Sequence, residues 1–113
     1  MEYRKISDGY SVAGQIAADD VATIKAAGFK SIISNRPDGE QPDQPASDEI
    51  RKAAVAAGLS FRHVPIVSGQ PLSGGDVAAM AEALDELEGP VFAYCRSGAR
   101  STSLYVAAQQ SKG

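Results

Sequence analysis

The sequence predicts an α/β fold, with a parallel-sheet core flanked by helices, and three observations point to it. Strand-like and helix-like patterns alternate with a period of roughly thirty residues, the length of one βαβ unit. Glycine or proline separates most of these patterns, as expected at the joints between elements. The chain has 113 residues, of which 43% are hydrophobic and 22% charged, so it can bury one core but not two. We therefore treat residues 1–113 as a single domain.

The first third of the chain is predicted to contain three strands and one helix. Residues 3–6 and 10–12 have the pattern of short strands on either side of a Ser-Asp-Gly turn. Residues 19–27 are expected to form a helix that ends at Gly28, because glycine readily adopts the left-handed conformation found there. Residues 29–34 follow as an apolar strand.

A polar loop separates this strand from the second helix. The loop, at residues 35–46, contains an Arg-Pro-Asp-Gly turn in which proline presets φ and glycine closes the turn. We expect Ser47 to cap a helix over residues 47–57, and Gly58 to end it. A strand at residues 59–64 comes next.

The last third of the chain is predicted to form two helices and one strand. Ser73 and Asp76 have the spacing of a capping box, with aspartate in the usual glutamate position. The helix at residues 76–87 carries one apolar stripe that would pack on a sheet, formed by Val77, Met80, Leu84 and Leu87. A Gly-Pro pair then leads into a strand at residues 91–94, and residues 101–110 form the last helix. Strands separated by crossover helices indicate a parallel sheet.

The only cysteine of the chain, Cys95, directly follows the strand at residues 91–94. Ligands of parallel sheets collect at this carboxyl edge. The loop's N–H groups and the following helix N-terminus can form an anion-binding nest, and Arg96 and Arg100 lie in the same loop. Such surroundings lower the pKa of a thiol, so we predict that Cys95 is a reactive thiolate.

Four segments, in their order and spacing, resemble the phosphatase-like domain of bacterial beta-lactamase-hydrolase-like proteins. The segments are Asn35-Arg36-Pro37-Asp38-Gly39-Glu40, His63-Val64-Pro65-Ile66, Gly89-Pro90-Val91 and Cys95-Arg96-Ser97-Gly98-Ala99-Arg100-Ser101. The resemblance covers nearly the whole chain and implies a cysteine-phosphatase fold of the dual-specificity type. Members occur alone or fused to a metallo-β-lactamase-type domain, and they are variously described as phosphatase-like or sulfur-transferring.

The spacing within the cysteine loop distinguishes these two activities. Cysteine phosphatases resemble one another in having five residues between the cysteine and the phosphate-binding arginine, whereas four separate Cys95 from Arg100. Rhodanese-type sulfurtransferases are similar to the present loop, often with arginine directly after the cysteine, as Arg96 is here. A shorter ring of amides encloses less volume, which suits a terminal sulfur better than a tetrahedral phosphoryl group.

Phosphomonoester cleavage also needs an acid to protonate the leaving alkoxide. In the phosphatases that the family resembles, an aspartate would follow the segment corresponding to residues 64–66, but residues 67–71 contain no carboxylate. The residue before the cysteine is Tyr94 rather than histidine. His63 ends a strand and can face the same rim, although a plain surface or core histidine is the commoner role. An acid could also come from the loop at 35–46, if it folded over the site, from one of Asp38, Glu40 and Asp43.

We therefore favour a sulfurtransferase that forms a persulfide on Cys95, with Arg100 as the second catalytic residue. The anion or substrate would be bound by the rest of the loop, namely Arg96, Ser97, Gly98, Ala99 and Ser101. Ser101 can alternatively serve only to cap the last helix. Two alternatives remain open: a dual-specificity-like phosphatase that forms a phosphocysteine, and a non-catalytic module that binds an anion or a partner.

Composition limits the partners and the location of the chain. The net charge of −3 does not favour binding to nucleic acid or to an anionic membrane. From the cysteine loop we expect the substrate to be a small anionic sulfur donor or a phosphorylated molecule. One cysteine excludes an internal disulfide. One cysteine and one histidine cannot build a structural metal site without carboxylates or another chain, so we expect no metal and no other cofactor. The charged N-terminus does not open a secretory signal, and we expect a cytoplasmic protein.

Overall fold

The computed structural model describes residues 1–112. The strands are β1 Tyr3–Ser7, β2 Tyr10–Ala13, β3 Ser31–Ser34, β4 Ser60–His63 and β5 Val91–Tyr94. The helices are α1 Asp20–Ala26, α2 Ser47–Ala56, α3 Gly74–Glu86 and α4 Ala99–Lys112. None of the helices within residues 1–112 is both long and apolar enough to cross a membrane.

The strands form one sheet in the order β1-β2-β5-β3-β4, with β5 in the middle. β1 and β2 make an antiparallel hairpin, whereas β2, β5, β3 and β4 run parallel to one another. The predicted parallel core flanked by helices is therefore confirmed. The helices are required by this topology, because parallel neighbours cannot be joined by a tight turn.

The parallel strands end at one level, which brings their carboxyl ends together. Tyr94, the last residue of β5, pairs with Ala13 of β2 and with Ser34 of β3. Ser34 in turn pairs with His63 of β4. The four loops that follow these strands therefore begin side by side, at the edge where parallel sheets bind ligands.

Two hydrophobic cores lie on opposite faces of the sheet, because successive side chains of a strand alternate between faces. The core under α3 and α4 includes Val12, Ile33, Ala93, Met80 and Leu104. The core under α1 and α2 includes Ile32, Phe92, Ile24, Ile50 and Ala54. Each strand of the middle of the sheet is thus buried on both sides, which holds the loops at its carboxyl edge on a rigid base.

The predicted N-terminal cap is confirmed for α3 and wrong for α2 and α4. The capping box of α3 is confirmed: the Asp76 backbone N–H donates to Ser73 Oγ at 3.0 Å, and the Ser73 N–H donates to Asp76 at 3.2 Å. Ser47, however, does not cap α2 but is its first residue, and Ala46 is the N-cap. Helix α4 begins at Ala99, not at residue 101, so Ser101 is also inside its helix rather than capping it.

Candidate active site

The loop that carries Cys95 is tied to the end of β2 by backbone contacts. The Cys95 N–H donates to the Ala13 carbonyl at 3.2 Å, and the Gln15 N–H donates to the Arg96 carbonyl at 3.4 Å. Gly14 lies between these two bonds, where a Cβ atom would come within 2.9 Å of the Arg96 oxygen. A glycine is therefore needed there for the two loops to approach each other.

The sulfur of Cys95 lies inside a cradle of backbone N–H groups. The Gly98 N–H donates to Sγ at 3.0 Å. Gly98 has a φ of +92°, a left-handed conformation that glycine adopts without strain, and this turn aims the amides inward. Ser101 is fully buried, and its hydroxyl has no hydrogen-bonded oxygen or nitrogen partner among residues 1–112.

This cradle lowers the pKa of the Cys95 thiol below its ordinary value. Burial by itself raises the pKa, because it disfavours the charged thiolate. The N–H groups of Ser101, Ser97 and Gly98 stabilise the thiolate and outweigh that cost. The site therefore favours the nucleophilic thiolate more than an ordinary cysteine does.

Arg100 points from the first turn of α4 toward the loop that follows β3. Its Nη1 and Nη2 atoms donate to the two Glu40 oxygens at 2.7 and 2.9 Å, and Nη1 also donates to the Ile66 carbonyl at 2.9 Å. Hydrogen bonding to Glu40 is the main reason why the pKa of Arg100 is raised, and the neighbouring Cys95 sulfur adds to the effect. The guanidinium thus pairs with a carboxylate and is a neighbour of the Cys95 sulfur.

A second arginine, Arg36, holds Glu40 from the other side. Arg36 is only 2% exposed, and its Nε donates to Glu40 Oε1 at 2.8 Å. Its remaining nitrogens donate to the side-chain oxygens of Gln15 at 3.0 Å and Gln41 at 3.3 Å. Hydrogen bonding to Arg100, assisted by Arg36, lowers the pKa of Glu40 to about 2, so this carboxylate stays ionised.

The network of Arg36 and Glu40 was not predicted as such. The sequence placed Arg36 only in a turn and Glu40 only among candidate acids. The one available signal was an arginine and a glutamate four residues apart in a polar loop after a buried strand, a spacing that usually indicates a helix-surface pair. That both side chains meet Arg100 depends on the tertiary arrangement of the loops.

Asp38, considered as an acid, and His63, considered at the rim, both make their hydrogen bonds within the loop after β3 and with the start of α2. The Asp38 carboxylate accepts the Ser47 N–H at 2.7 Å and the Ser47 hydroxyl at 2.8 Å, which lowers the pKa of Asp38 and completes the N-terminus of α2. His63 Nε2 donates to the Arg36 carbonyl at 2.8 Å, and its Nδ1 lies 3.4 Å from Ser47 Oγ. The hydrogen bonds of both residues therefore support the loop rather than the sulfur. Asp43 is exposed.

Arg96, Ser97 and Ala99 are exposed at the rim of the loop. The Ser97 hydroxyl accepts the Ala99 N–H at 3.4 Å. A cavity of about 320 Å³ opens beside this rim and is lined by Arg36, Glu40, Gln41, Ser68, Arg96 and Arg100. The cavity is rich in positive charge, which suits an anionic ligand. No cluster of three or more potential metal-ligating side chains lies within residues 1–112.

Comparison with known proteins gives one consistent family. The model of the beta-lactamase hydrolase-like protein, phosphatase-like domain, matches residues 2–112. A beta-lactamase hydrolase-like protein of Agrobacterium fabrum is 42% identical over 106 residues, which are 94% of this chain and 24% of that protein. The chain thus spans about a quarter of the length of this curated relative.

Solved structures extend the likeness to cysteine phosphatases. A candidate phosphatase of Neisseria meningitidis Z2491 superposes with a TM-score of 0.85 at 31% identity, over 96% of this chain and 77% of that one. The core catalytic domain of the PP-IP phosphatase SIW14 of S. cerevisiae superposes with a TM-score of 0.65 at 12% identity, over 85% and 56%. The expected cysteine-phosphatase fold is confirmed. Among the two expected activities, these comparisons support the phosphatase alternative better than sulfur transfer.

Proposed function

We propose, from the premise that the chain belongs to the phosphatase-like domain family of beta-lactamase hydrolase-like proteins, that it is a cysteine-nucleophile enzyme that transfers sulfane sulfur. Cys95 would be the nucleophile and Arg100 the guanidinium that binds the anionic donor. The family assignment supports an enzyme with a phosphatase-like cysteine site. The choice of sulfur as the transferred group comes from the geometry of the site.

The observation that carries this choice is that three of the nearby carboxylates, those of Glu40, Asp38 and Asp76, are already engaged. Glu40 is paired with two arginines and has a pKa of about 2, so it holds no proton to give. Asp38 accepts two hydrogen bonds from Ser47, and Asp76 belongs to the capping box of α3. A leaving alkoxide would therefore find no general acid among these three carboxylates, whereas a leaving sulfite or thiolate needs none.

The proposed reaction has two steps. The Cys95 thiolate attacks the outer sulfur of a donor such as thiosulfate, a new S–S bond forms, and sulfite leaves with the electron pair of the broken bond. An acceptor thiolate then attacks the terminal sulfur of the persulfide and restores the Cys95 thiolate. The N–H groups of Ser97, Gly98 and Ser101, which lower the pKa of Cys95, would stabilise the terminal anion of the persulfide in the same way.

Phosphate-ester hydrolysis is the second candidate, and the comparisons favour it. The family is described as phosphatase-like, and the Neisseria and yeast proteins are named as phosphatases. In this reaction the Cys95 thiolate would attack phosphorus, the alcohol would leave, and water would release phosphate from the phosphocysteine. A phosphatase without a general acid would cleave aryl phosphates, whose leaving groups are stable anions, but would scarcely cleave alkyl phosphates.

A non-catalytic module that binds an anion or a partner is the third candidate function, and it does not require the lowered pKa of Cys95.

One experiment separates the two chemistries. The protein is incubated with thiosulfate or with an organic persulfide, and its intact mass is measured before and after reduction. We expect a reducible gain of one sulfur atom that is absent in Cys95→Ser, together with transfer of that sulfur to a thiol acceptor. In parallel, phosphoserine and phosphotyrosine peptides are assayed. Cys95-dependent hydrolysis of both peptides without any sulfur adduct would replace sulfur transfer by the phosphatase reading.

The wider setting of the domain also belongs to this proposal. The chain spans about a quarter of its curated relatives. A fused or partner metallo-β-lactamase-type domain would either consume the persulfide product or provide the sulfur donor. The substrate would be a small anionic sulfur donor, and the setting would be the cytoplasm. We propose catalytic roles for Cys95 and Arg100, and binding of the anion or substrate for the remaining residues of the loop.

A further inference from the structure

The Cys95 sulfur is covered in this structure. Cys95 is 0% exposed, whereas Arg96 and Arg100 line the adjacent 320 Å³ cavity. The Arg100 side chain is 14% exposed and lies next to the Cys95 sulfur. Cys95 is not among the residues that line the cavity, so Arg100 is a residue that both lines the cavity and neighbours the sulfur.

The Arg100 guanidinium is held in place by Glu40. The two carboxylate oxygens accept two parallel hydrogen bonds from Nη1 and Nη2, at 2.7 and 2.9 Å. This paired arrangement is the one by which an arginine binds the oxygens of a sulfonate, sulfate or phosphate group. Glu40 thus occupies the position on Arg100 that such an anion would take.

We propose that Glu40 is an internal anion that keeps the site closed, and that an anionic substrate opens it by taking the place of Glu40 on Arg100. Arg36, which is buried and bonded to Gln15 and Gln41, anchors Glu40 and would hold it when it leaves Arg100. This inference rests on Cys95 being the nucleophile of the proposed function. It does not depend on whether sulfur or phosphoryl is transferred.

The charge of the site explains why only an anion would open it. Arg36, Arg96 and Arg100 face a single carboxylate, Glu40, and the thiolate, so an entering anion compensates for the bonds that Glu40 loses. A neutral molecule offers no such exchange. If the open form makes up about 0.1–10% of the molecules, the apparent affinity for an anion is weakened by the same fraction. Removing the Glu40 charge should therefore strengthen anion binding about tenfold or more.

Alkylation of Cys95 by neutral iodoacetamide tests this directly. The rate is followed against pH in the wild type, in Glu40→Gln and in Glu86→Gln, and the plateau rates are compared, so that differences in Cys95 pKa do not enter. Glu86→Gln is the control, because it also removes a carboxylate that is paired with an arginine. Glu86 binds Arg62 at 2.8 Å on the surface. We expect the plateau to rise at least tenfold in Glu40→Gln and to stay within twofold of wild type in Glu86→Gln.

Protection by inorganic sulfate gives a second readout on the same variants. Sulfate should slow alkylation, and its half-protecting concentration should fall at least tenfold in Glu40→Gln. Equal plateau rates and equal sulfate protection in wild type and Glu40→Gln would overturn the gate while leaving Cys95 as the nucleophile. Failure of Cys95 as the nucleophile is distinguishable, because its alkylation midpoint would then lie at or above about 8.5 in every variant. Failure of sulfur transfer alone is distinguishable as well, because the persulfide adduct would then be absent while the alkylation results stayed unchanged.

The wild-type protein provides a test that no substitution can disturb. Amide hydrogen exchange is measured with and without saturating sulfate. If Glu40 leaves Arg100 when an anion binds, exchange should increase in residues 36–46 and decrease in residues 95–101. Unchanged or slower exchange in residues 36–46 would contradict the proposal, even if Glu40→Gln failed to fold.

Discussion

Two loops at the same edge of the sheet handle negative charge in different ways. The loop after β5, residues 95–98, is short and uses backbone donors, of which the Gly98 N–H lies 3.0 Å from the Cys95 sulfur. The loop after β3, residues 35–46, is longer and uses side chains, chiefly the Arg36 guanidinium and the Glu40 carboxylate. A backbone cradle is encoded by neighbouring residues, whereas a side-chain network depends on where distant loops meet.

The largest expected effect comes from the arginine that joins the two loops. Arg100→Ala removes the guanidinium beside the Cys95 sulfur and leaves Glu40 with Arg36 alone. We expect kcat for sulfur transfer to fall about 10²–10³-fold, the usual cost of losing one charged donor at an anionic transition state. Arg96→Ala, the matched control at the exposed rim, should mainly raise KM for anionic donors. Equal losses of kcat in both variants would remove the distinction between the two arginines.

The pH dependence of Cys95 alkylation tests whether the backbone cradle activates the sulfur. Because the N–H groups of the loop hold the pKa of Cys95 below its ordinary value, alkylation should rise with pH to a midpoint below about 8.5. The sign for stability follows from the same shift. The thiolate stabilises the fold fully above the unfolded pKa, and this contribution is lost as pH falls through the folded pKa. An alkylation midpoint at or above about 8.5 would show that the cradle does not activate the cysteine.

Gly98→Ala should damage the cradle by a smaller amount. At a φ of +92° an alanine is strained by about 1–2 kcal/mol, and its Cβ would lie 3.4 Å from Arg4 Nη2 and 3.5 Å from the Ala13 oxygen. The loop would turn its amides away from the sulfur, so the midpoint of Cys95 alkylation should move upward. Thermal unfolding with the pH titration measures both effects. Gly9→Ala is the control, since a Cβ there meets nothing within 4 Å.

The sequence predicted the fold well because the fold depends on local periodicity. The alternation of short apolar strands and longer helical stretches predicts a parallel sheet, and the strand at Val91–Tyr94 matches its predicted bounds. The helix starts were less accurate. Ser47 was expected to cap α2. Instead, Asp38, nine residues earlier in sequence, caps the helix from outside by accepting the Ser47 N–H. Such a cap cannot be read from the residues next to the helix.

The site was predicted only in part, because some of its residues are neighbours in sequence and others are distant. Cys95, Gly98 and Arg100 lie in one short loop, where the spacing of a nucleophile, a glycine and a cation predicts an anion cradle. The contact between Glu40 and Arg100 joins residues sixty positions apart, and nothing in either segment specifies it. Asp38 and Glu40 are only two residues apart, yet one supports a helix and the other an arginine. The role of each carboxylate therefore depends on how the loops pack, which the local sequence does not specify.

The smallest expected effect concerns Asp38, and it separates a structural carboxylate from a catalytic one. Asp38→Asn removes the charge that accepts two hydrogen bonds from Ser47 at the N-terminus of α2, which should lower stability by roughly 0.5–1 kcal/mol. Sulfur transfer and aryl phosphate cleavage should remain within twofold of wild type, because no bond of Asp38 reaches the Cys95 loop. Asp43→Asn, an exposed position in the same loop, is the control for the change in net charge. A loss of alkyl phosphate cleavage of about 10²-fold or more in Asp38→Asn alone would instead identify Asp38 as a general acid, and would require the loop to move over the sulfur during the reaction.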